Sequence, residues 1–179
     1  MGLSMKSSDS QSIPDLLARL EKWLKKNRPR FIKGLPPGAN KVQLDGLQRE
    51  LNLTLPADLR QLLSWHDGQG EDFIGRFEQD WMLMSCDQII AAKGDLDHEA
   101  GSTGWNSVWI PFLDNDAGDF LCLDTSQPNA PVRGFWLGEK EHKIVAPSLG
   151  AWLGDFVDNV EKGNYQEDPE RGSFLRSGS

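Results

Sequence analysis

The densest run of chemically capable side chains is Asp114-Asn115-Asp116-Ala117-Gly118-Asp119, with three carboxylates and an amide in six residues. Oxygen donors at that density invite a calcium reading. A calcium loop asks for Gly at its sixth position and Glu at its twelfth. Counted from Asp114, those positions hold Asp119 and Thr125, so the pattern fails. A tight turn explains the run better, because Asn and Gly accept positive φ and short Asp side chains bond nearby backbone. His66-Asp67, followed by Glu71 and Asp72, places an imidazole near three carboxylates. General acid–base chemistry needs such groups within hydrogen-bond reach and tuned in pKa. Here they fall at a helix end and in the loop beyond it, where Asp and Gly serve turning. His98 and His142 sit in charged segments without the spacing of a zinc site. Ser64, Ser85 and Ser148 lack a Gly-x-Ser-x-Gly elbow, and neither Cys86 nor Cys122 has a His close by in sequence. Both cysteines lie in apolar surroundings and read as buried free thiols rather than a disulfide. Gly68-Gln69-Gly70 lacks the later Gly and Lys of a phosphate loop. The expectation is no catalytic residue, no metal ligand and no cofactor.

Charge is distributed unevenly along the 179 residues. Residues 1–43 hold nine Lys/Arg against three Asp/Glu, and residues 44–179 hold ten against twenty-four, so a segment of +6 precedes a body of −14. An acidic body repels phosphate, which argues against direct nucleic-acid binding and for a basic protein as partner. Lys22, Lys25, Lys26, Arg28, Arg30 and Lys33 read as the solvated face and C-terminal end of a first helix, where cations suit the helix dipole. No apolar run approaches the roughly 18–20 residues of a membrane span. The opening MGLSMKSSDSQS has no apolar signal core, which points to the cytoplasm.

The elements that would hold these residues follow from periodicity. Residues 1–11 are Ser-rich with little to bury and read as a disordered tail. Leu16, Leu17, Leu20, Trp23 and Leu24 mark the apolar face of a helix over 14–27, with Ser12 as its N-cap and Pro29 beyond its end. Residues 34–40, with Pro36, Pro37 and Gly38, read as a linker or loop. Two short helices follow, the first near 43–52 and the second running from Pro56 to Gly68. A short strand covers 81–85 and a short helix 87–93. Val108–Leu113 and Asp119–Asp124 form a hairpin. Further strands are predicted near 133–137 and 143–145, before a last helix capped by Ser148 with a stripe of Leu149, Trp152, Leu153, Phe156, Val157 and Val160. The residues after 165 read as a C-terminal tail, 166–179. Helices, then strands, then a helix predict an α+β fold: an antiparallel or mixed sheet with helices mainly on one face, in a single domain over 12–165. Among the tryptophans, Trp23, Trp81 and Trp152 fit the core. Trp65, Trp105 and Trp136 sit beside loops or edges, where half-exposed indoles anchor partners.

In this order the chain resembles the SUKH superfamily, which includes the yeast Smi/Knr cell-wall assembly regulators. The matching features run through roughly 43–165: the Leu-x-x-Leu helix before Leu55-Pro56, Leu62 with Trp65-His66-Asp67-Gly68-Gln69, Leu83-Met84-Ser85 before Ile89-Ile90, Trp109-Ile110-Pro111, Gly118-Asp119, Leu121-Cys122-Leu123-Asp124, Ala146-Pro147-Ser148, and the helix ending Val160-Glu161-Lys162-Gly163-Asn164. It departs where the family usually has Gly-x-Val-Ile and then His-Asp; this chain has Gly134-Phe135-Trp136-Leu137 and a bulkier edge. The resemblance implies a SUKH-like mixed domain without catalytic machinery. Bacterial members of the superfamily neutralise secreted toxins, many of them nucleases, and fungal members act as regulatory interaction proteins. The preferred reading is therefore a cytoplasmic bacterial immunity protein that binds a basic cognate toxin, with a Smi/Knr-like regulatory scaffold as the alternative. Its contact residues are predicted to be Glu71, Asp72, Asp95, Asp97, Glu99, Asp114 and Asp116, with Trp105 as an aromatic anchor.

Overall fold

Ser12 opens the first helix by accepting a hydrogen bond from the Asp15 amide, and α1 (Ile13–Asn27) then buries Ile13, Leu16, Leu17, Leu20 and Leu24 along one face. The computed structural model describes residues 11–178; the tail read into residues 1–11 falls outside it up to residue 10. Pro29 ends α1 but also starts a second short helix, α2 (Pro29–Gly34), which buries Phe31. Proline at a first helical position forfeits only an amide that would lack a partner anyway. Two capped or turn-led helices follow, α3 (Lys41–Leu51), with a reciprocal Asn40/Gln43 capping box, and α4 (Ala57–Trp65). The stretch read as a linker at 34–40 is pinned to the body. Leu35 and Ala39 are buried, and the Ala39 amide donates to the Leu63 carbonyl at 2.8 Å.

The main sheet has five strands in the order β1 (Met82–Leu83), β2 (Trp109–Asp114), β3 (Phe120–Asp124), β4 (Val132–Phe135) and β5 (Ile144–Ala146). Every pairing is antiparallel. A register irregularity between Pro111 and Leu113 lets β2 keep a proline that cannot donate to a ladder. Between β1 and β2 run α5 (Cys86–His98), entered through a Ser85/Gln88 capping box, and the short α6 (Ala100–Thr103).

One face of the sheet, with Ile110, Phe112, Leu121, Leu123 and Val132, joins the main core beneath α1, α4 and α7 (Leu149–Glu161). The reverse face is smaller. There Trp109, Cys122 and Phe135 pack with Leu96 of α5 and with Trp105. The architecture is the α+β mixture expected, with the helical mass mainly on one side.

The residues read as a C-terminal tail fold instead. β6 (Tyr165–Glu167) and β7 (Phe174–Arg176) form a two-stranded sheet. Phe174 is 2% exposed, its ring 5.0 Å from Tyr165, 5.8 Å from Trp23 and 6.2 Å from Phe156. Asp168 turns the hairpin by accepting from the amides of Glu170 and Arg171. Strands of three residues are too short to show an alternation, so polarity hid them.

Candidate partner-binding surface

Most residues with chemical potential in the first two clusters have a structural task, Glu71 and Asp72 being exposed instead. His66 Nδ1 lies 2.5 Å from the Pro36 carbonyl oxygen, and its ring meets Trp65 edge-on at 4.5 Å. Asp67 accepts from the Cys86 amide at 2.7 Å, which fixes the start of α5 to the end of α4. Ser64 donates to the Arg60 carbonyl, while Ser85 and Ser148 cap helices. Burial, with the Asp67 carboxylate beside it, pushes the Cys86 thiol up to about 12, and Cys122 is raised by burial as well. Neither is a nucleophile at neutral pH. His142 is buried, with Nε2 2.8 Å from the Thr103 carbonyl and its ring 4.5 Å from that of Phe135. The 114–119 run uses its oxygens within the turn. Asn115 Oδ1 accepts from Ala117 and Asp119, Asp114 Oδ1 accepts from Asp116, and Asp119 Oδ1 accepts from Leu137.

The eight predicted contact residues separate into two groups at opposite ends of β2. An extended strand of that length spans roughly 17 Å. At its start, Asp95, Asp97 and Glu99 lie on the last turn and cap of α5 and are exposed. Asp97 is already engaged, with Lys93 Nζ 2.6 Å from Oδ2 and Trp105 Nε1 donating to Oδ1 at 2.7 Å. Trp105 itself is 5% exposed and meets Trp109 and Phe135 edge-on. It is a core residue and not the surface anchor expected: the indole turns inward to fill the reverse face of the sheet.

At the other end of β2, Arg76 holds a second group together. Its guanidinium stands 5.4 Å from the Phe73 ring centroid and 3.6 Å from Asp116 Oδ2. That draws the loop carrying exposed Glu71 and Asp72 toward the β2–β3 turn. Asp114 is half-buried, and desolvation raises its pKa, so it belongs to the turn's frame more than to its surface. Leu137 Cδ2 packs so close over Gly118 that a Cβ there would lie 2.9 Å from it. Next to Leu137, Trp136 packs 5.6 Å from Trp81. Phe73 and Leu137 are each 60% exposed and Trp136 37%. Leu137 and Trp136 thus stand exposed beside the β2–β3 turn, with Asp116 and Asp119 on that turn, while exposed Phe73 lies on the other side of Arg76 with its ring against Gly172. Apolar anchors inside a charged rim are the anatomy of a protein-binding patch.

Sequence reasoning missed Phe73 and Leu137. The signal for Trp136 was present, in the bulkier Gly134-Phe135-Trp136-Leu137 edge. Nothing in composition marks Phe73, an apolar residue in an acidic loop whose ring lies against Gly172 with the Arg76 guanidinium 5.4 Å from its centroid.

No helix among the described residues is long and apolar enough to cross a membrane. A family model described as the SMI1 / KNR4 family (SUKH-1) matches residues 38–155. A glucan synthesis regulatory protein from Neurospora crassa is 39% identical over 75 residues, which make up 40% of this chain and 14% of that protein. The chain therefore spans a small part of that relative's length.

Proposed function

Because the chain belongs to the SMI1/KNR4 family (SUKH-1), we propose that it is a non-enzymatic immunity protein that binds a basic cognate toxin domain in the cytoplasm and blocks its active cleft. The observation that carries this reading is the exposure of Trp136 and Leu137 beside the β2–β3 turn and of Phe73 across Arg76 from it, on segments that also carry Glu71, Asp72 and Asp116. A body of −14 steers a cationic partner into encounter, and these exposed apolar side chains then supply contact area. The flanking carboxylates stand where the phosphates of a nuclease substrate would lie. Asp95 and Glu99, at the far end of β2, contribute to the steering field rather than to the contact. The domain carries no cofactor in this reading; His66 and Asp67 serve the α4–α5 junction.

The test is binding to the toxin domain encoded beside the gene, measured by calorimetry across a salt series. Asp72→Lys with Asp116→Lys is expected to weaken binding about a hundredfold, and raising salt is expected to weaken the native complex. An affinity indifferent to both would overturn the electrostatic mechanism.

The alternative is a regulatory interaction scaffold with a non-toxin partner, favoured by the stretch shared with the Neurospora protein, whose name is that of a regulator. The two readings use the same exposed side chains and differ in what these grip. Capture of a partner that is not a toxin, through Trp136 and Phe73, supports the scaffold.

A further inference from the structure

A cleft of about 640 Å³ lies where the α1–α2 junction meets the β6–β7 turn and the loop before β1. Small-ligand sites fall between roughly 300 and 1,000 Å³. Its apolar walls are Pro29 and Phe31, Phe73 and Ile74, and Pro169. Arg28, Arg30, Glu167, Asp168 and Glu170 supply its charges. Apart from residues 73–75, the lining falls outside the 38–155 stretch matched by the family model, so the family match does not account for it.

Arg28 sets the chemistry of the cleft. It is 4% exposed, its guanidinium stacked between the Phe31 and Phe174 rings. Nε and Nη2 both donate to Glu167 Oε1, at 3.1 and 2.9 Å. A Cβ at Gly75 would lie 3.0 Å from Nη2, so glycine there lets the backbone approach that edge. Nη1 is enclosed and has no acceptor among the described residues. A buried guanidinium donor without a partner costs free energy that native structures seldom leave uncompensated. Burial also lowers the pKa of Arg28, against the pull of Glu167. With both faces and the Nε–Nη2 edge taken, the Nη1 edge is what remains for an acceptor, on a residue that lines the cleft.

The other charged groups ask for a cation. Both bonds from Arg28 fall on Glu167 Oε1, which leaves Oε2 without one on a side chain 49% exposed. Glu170 and Arg30 are exposed, and among the described residues neither has an ion pair. Asp168 spends Oδ1 on the amides of Glu170 and Arg171. Two arginines against three carboxylates leave the cleft short of one positive charge and, at Nη1, of one acceptor.

We propose that this cleft binds an amino-acid zwitterion with an apolar side chain, as a free amino acid or a short peptide. The carboxylate meets Arg28 Nη1 and Arg30, the ammonium meets Glu167 and Glu170, and the side chain lies among Phe31, Phe73 and Pro169. A lone anion would face three carboxylates and a lone cation two arginines, so neither complements the lining. Because Nη1 is enclosed, entry needs a wall to move. Phe73, 60% exposed with its ring against Gly172, is the wall side chain least held by the core.

Calorimetric titration of the full chain with L-phenylalanine, L-leucine and L-leucyl-L-phenylalanine tests this, and saturable binding is expected. N-acetyl-L-phenylalanine and L-phenylalaninamide each lack one charge and are expected to bind at least about tenfold more weakly than L-phenylalanine. Arg30→Gln and Glu170→Gln, at exposed positions, are each expected to weaken L-phenylalanine about tenfold, with circular dichroism checking the fold. The pattern is crossed: Arg30→Gln shrinks the penalty of the amide, and Glu170→Gln shrinks that of the N-acetyl form. A purely structural role for either residue would not produce that crossing. Tighter binding of the dipeptide, or of the free amino acids, tells which source the cleft takes and supports the class either way. No saturable binding of any zwitterionic probe, equal affinity for the singly charged forms, or affinity unchanged in both variants would each overturn the proposal. Arg30 and Glu170 stand apart from the Trp136 surface, so a failure here leaves partner binding to be judged by its own salt series.

Discussion

Two tryptophans in similar sequence surroundings have opposite fates, and substitution separates them. Trp105 is enclosed by Trp109 and Phe135 and donates to Asp97, so Trp105→Ala is expected to cost about 3–4 kcal/mol in urea unfolding, from the void and the orphaned acceptor. Trp136→Ala removes a side chain that is 37% exposed and is expected to leave stability within about 1.5 kcal/mol while weakening partner binding. A titration at this scale is carried by Glu78, which is 5% exposed and accepts from the Tyr165 hydroxyl at 2.7 Å. Burial raises its pKa, and that outweighs the opposing hydrogen bond. The folded state then holds the Glu78 proton to higher pH than the unfolded chain does. This contribution to stability is full below the ordinary carboxylate pKa and is lost as pH rises through the elevated folded value. Glu78→Gln is expected to abolish that decline, read as the difference between the two proteins' unfolding free energies from pH 4 to 8. The chemistry-bearing residues were largely legible from types and spacing, since turns and caps have recognisable partners. Which indole faces water was not, because that depends on strands far apart in the chain.

At the scale of elements, legibility followed length and period. α1 and α7 show thirteen or more residues with a clear apolar stripe, and the β2–β3 hairpin shows a turn signal between β-rich runs. α2 was hidden by the proline that starts it, and β6–β7 by their brevity. The consequence of the hairpin is energetic. Phe174 touches Trp23, Phe156 and Tyr165, so Phe174→Ala is expected to lower stability by about 3–5 kcal/mol in urea unfolding. A freely solvated tail would show no change. The 34–40 connection makes a second test. A Cβ at Gly38 would come 1.8 Å from the Ser64 carbonyl oxygen, so Gly38→Ala must displace backbone at the end of α4. Its expected signature is faster amide exchange at Ala39 and Asp67, whose amides donate to the Leu63 and Pro37 carbonyls.

For the whole molecule, fold class was legible because the order of elements admits few ways to pair strands and bury helices. The acidic character of the body was legible too. Its surface geometry was not: eight predicted contact residues resolve into two separated groups and one core indole. Charge sums carry no positions, and only the fold decides that Asp116 meets Arg76 at one end of β2 while Asp97 meets Trp105 at the other.

One contact joins the beginning of this fold to its end. The Arg28 guanidinium, between α1 and α2, is stacked 4.3 Å from both the Phe31 and the Phe174 rings and bonds Glu167 through Nε and Nη2. The ribosome makes Arg28 more than a hundred residues before Glu167 and Phe174. Until those two leave the exit tunnel, the cation has only half its sandwich and no carboxylate, so the junction of α1 and α2 receives its last supports well after both helices have emerged.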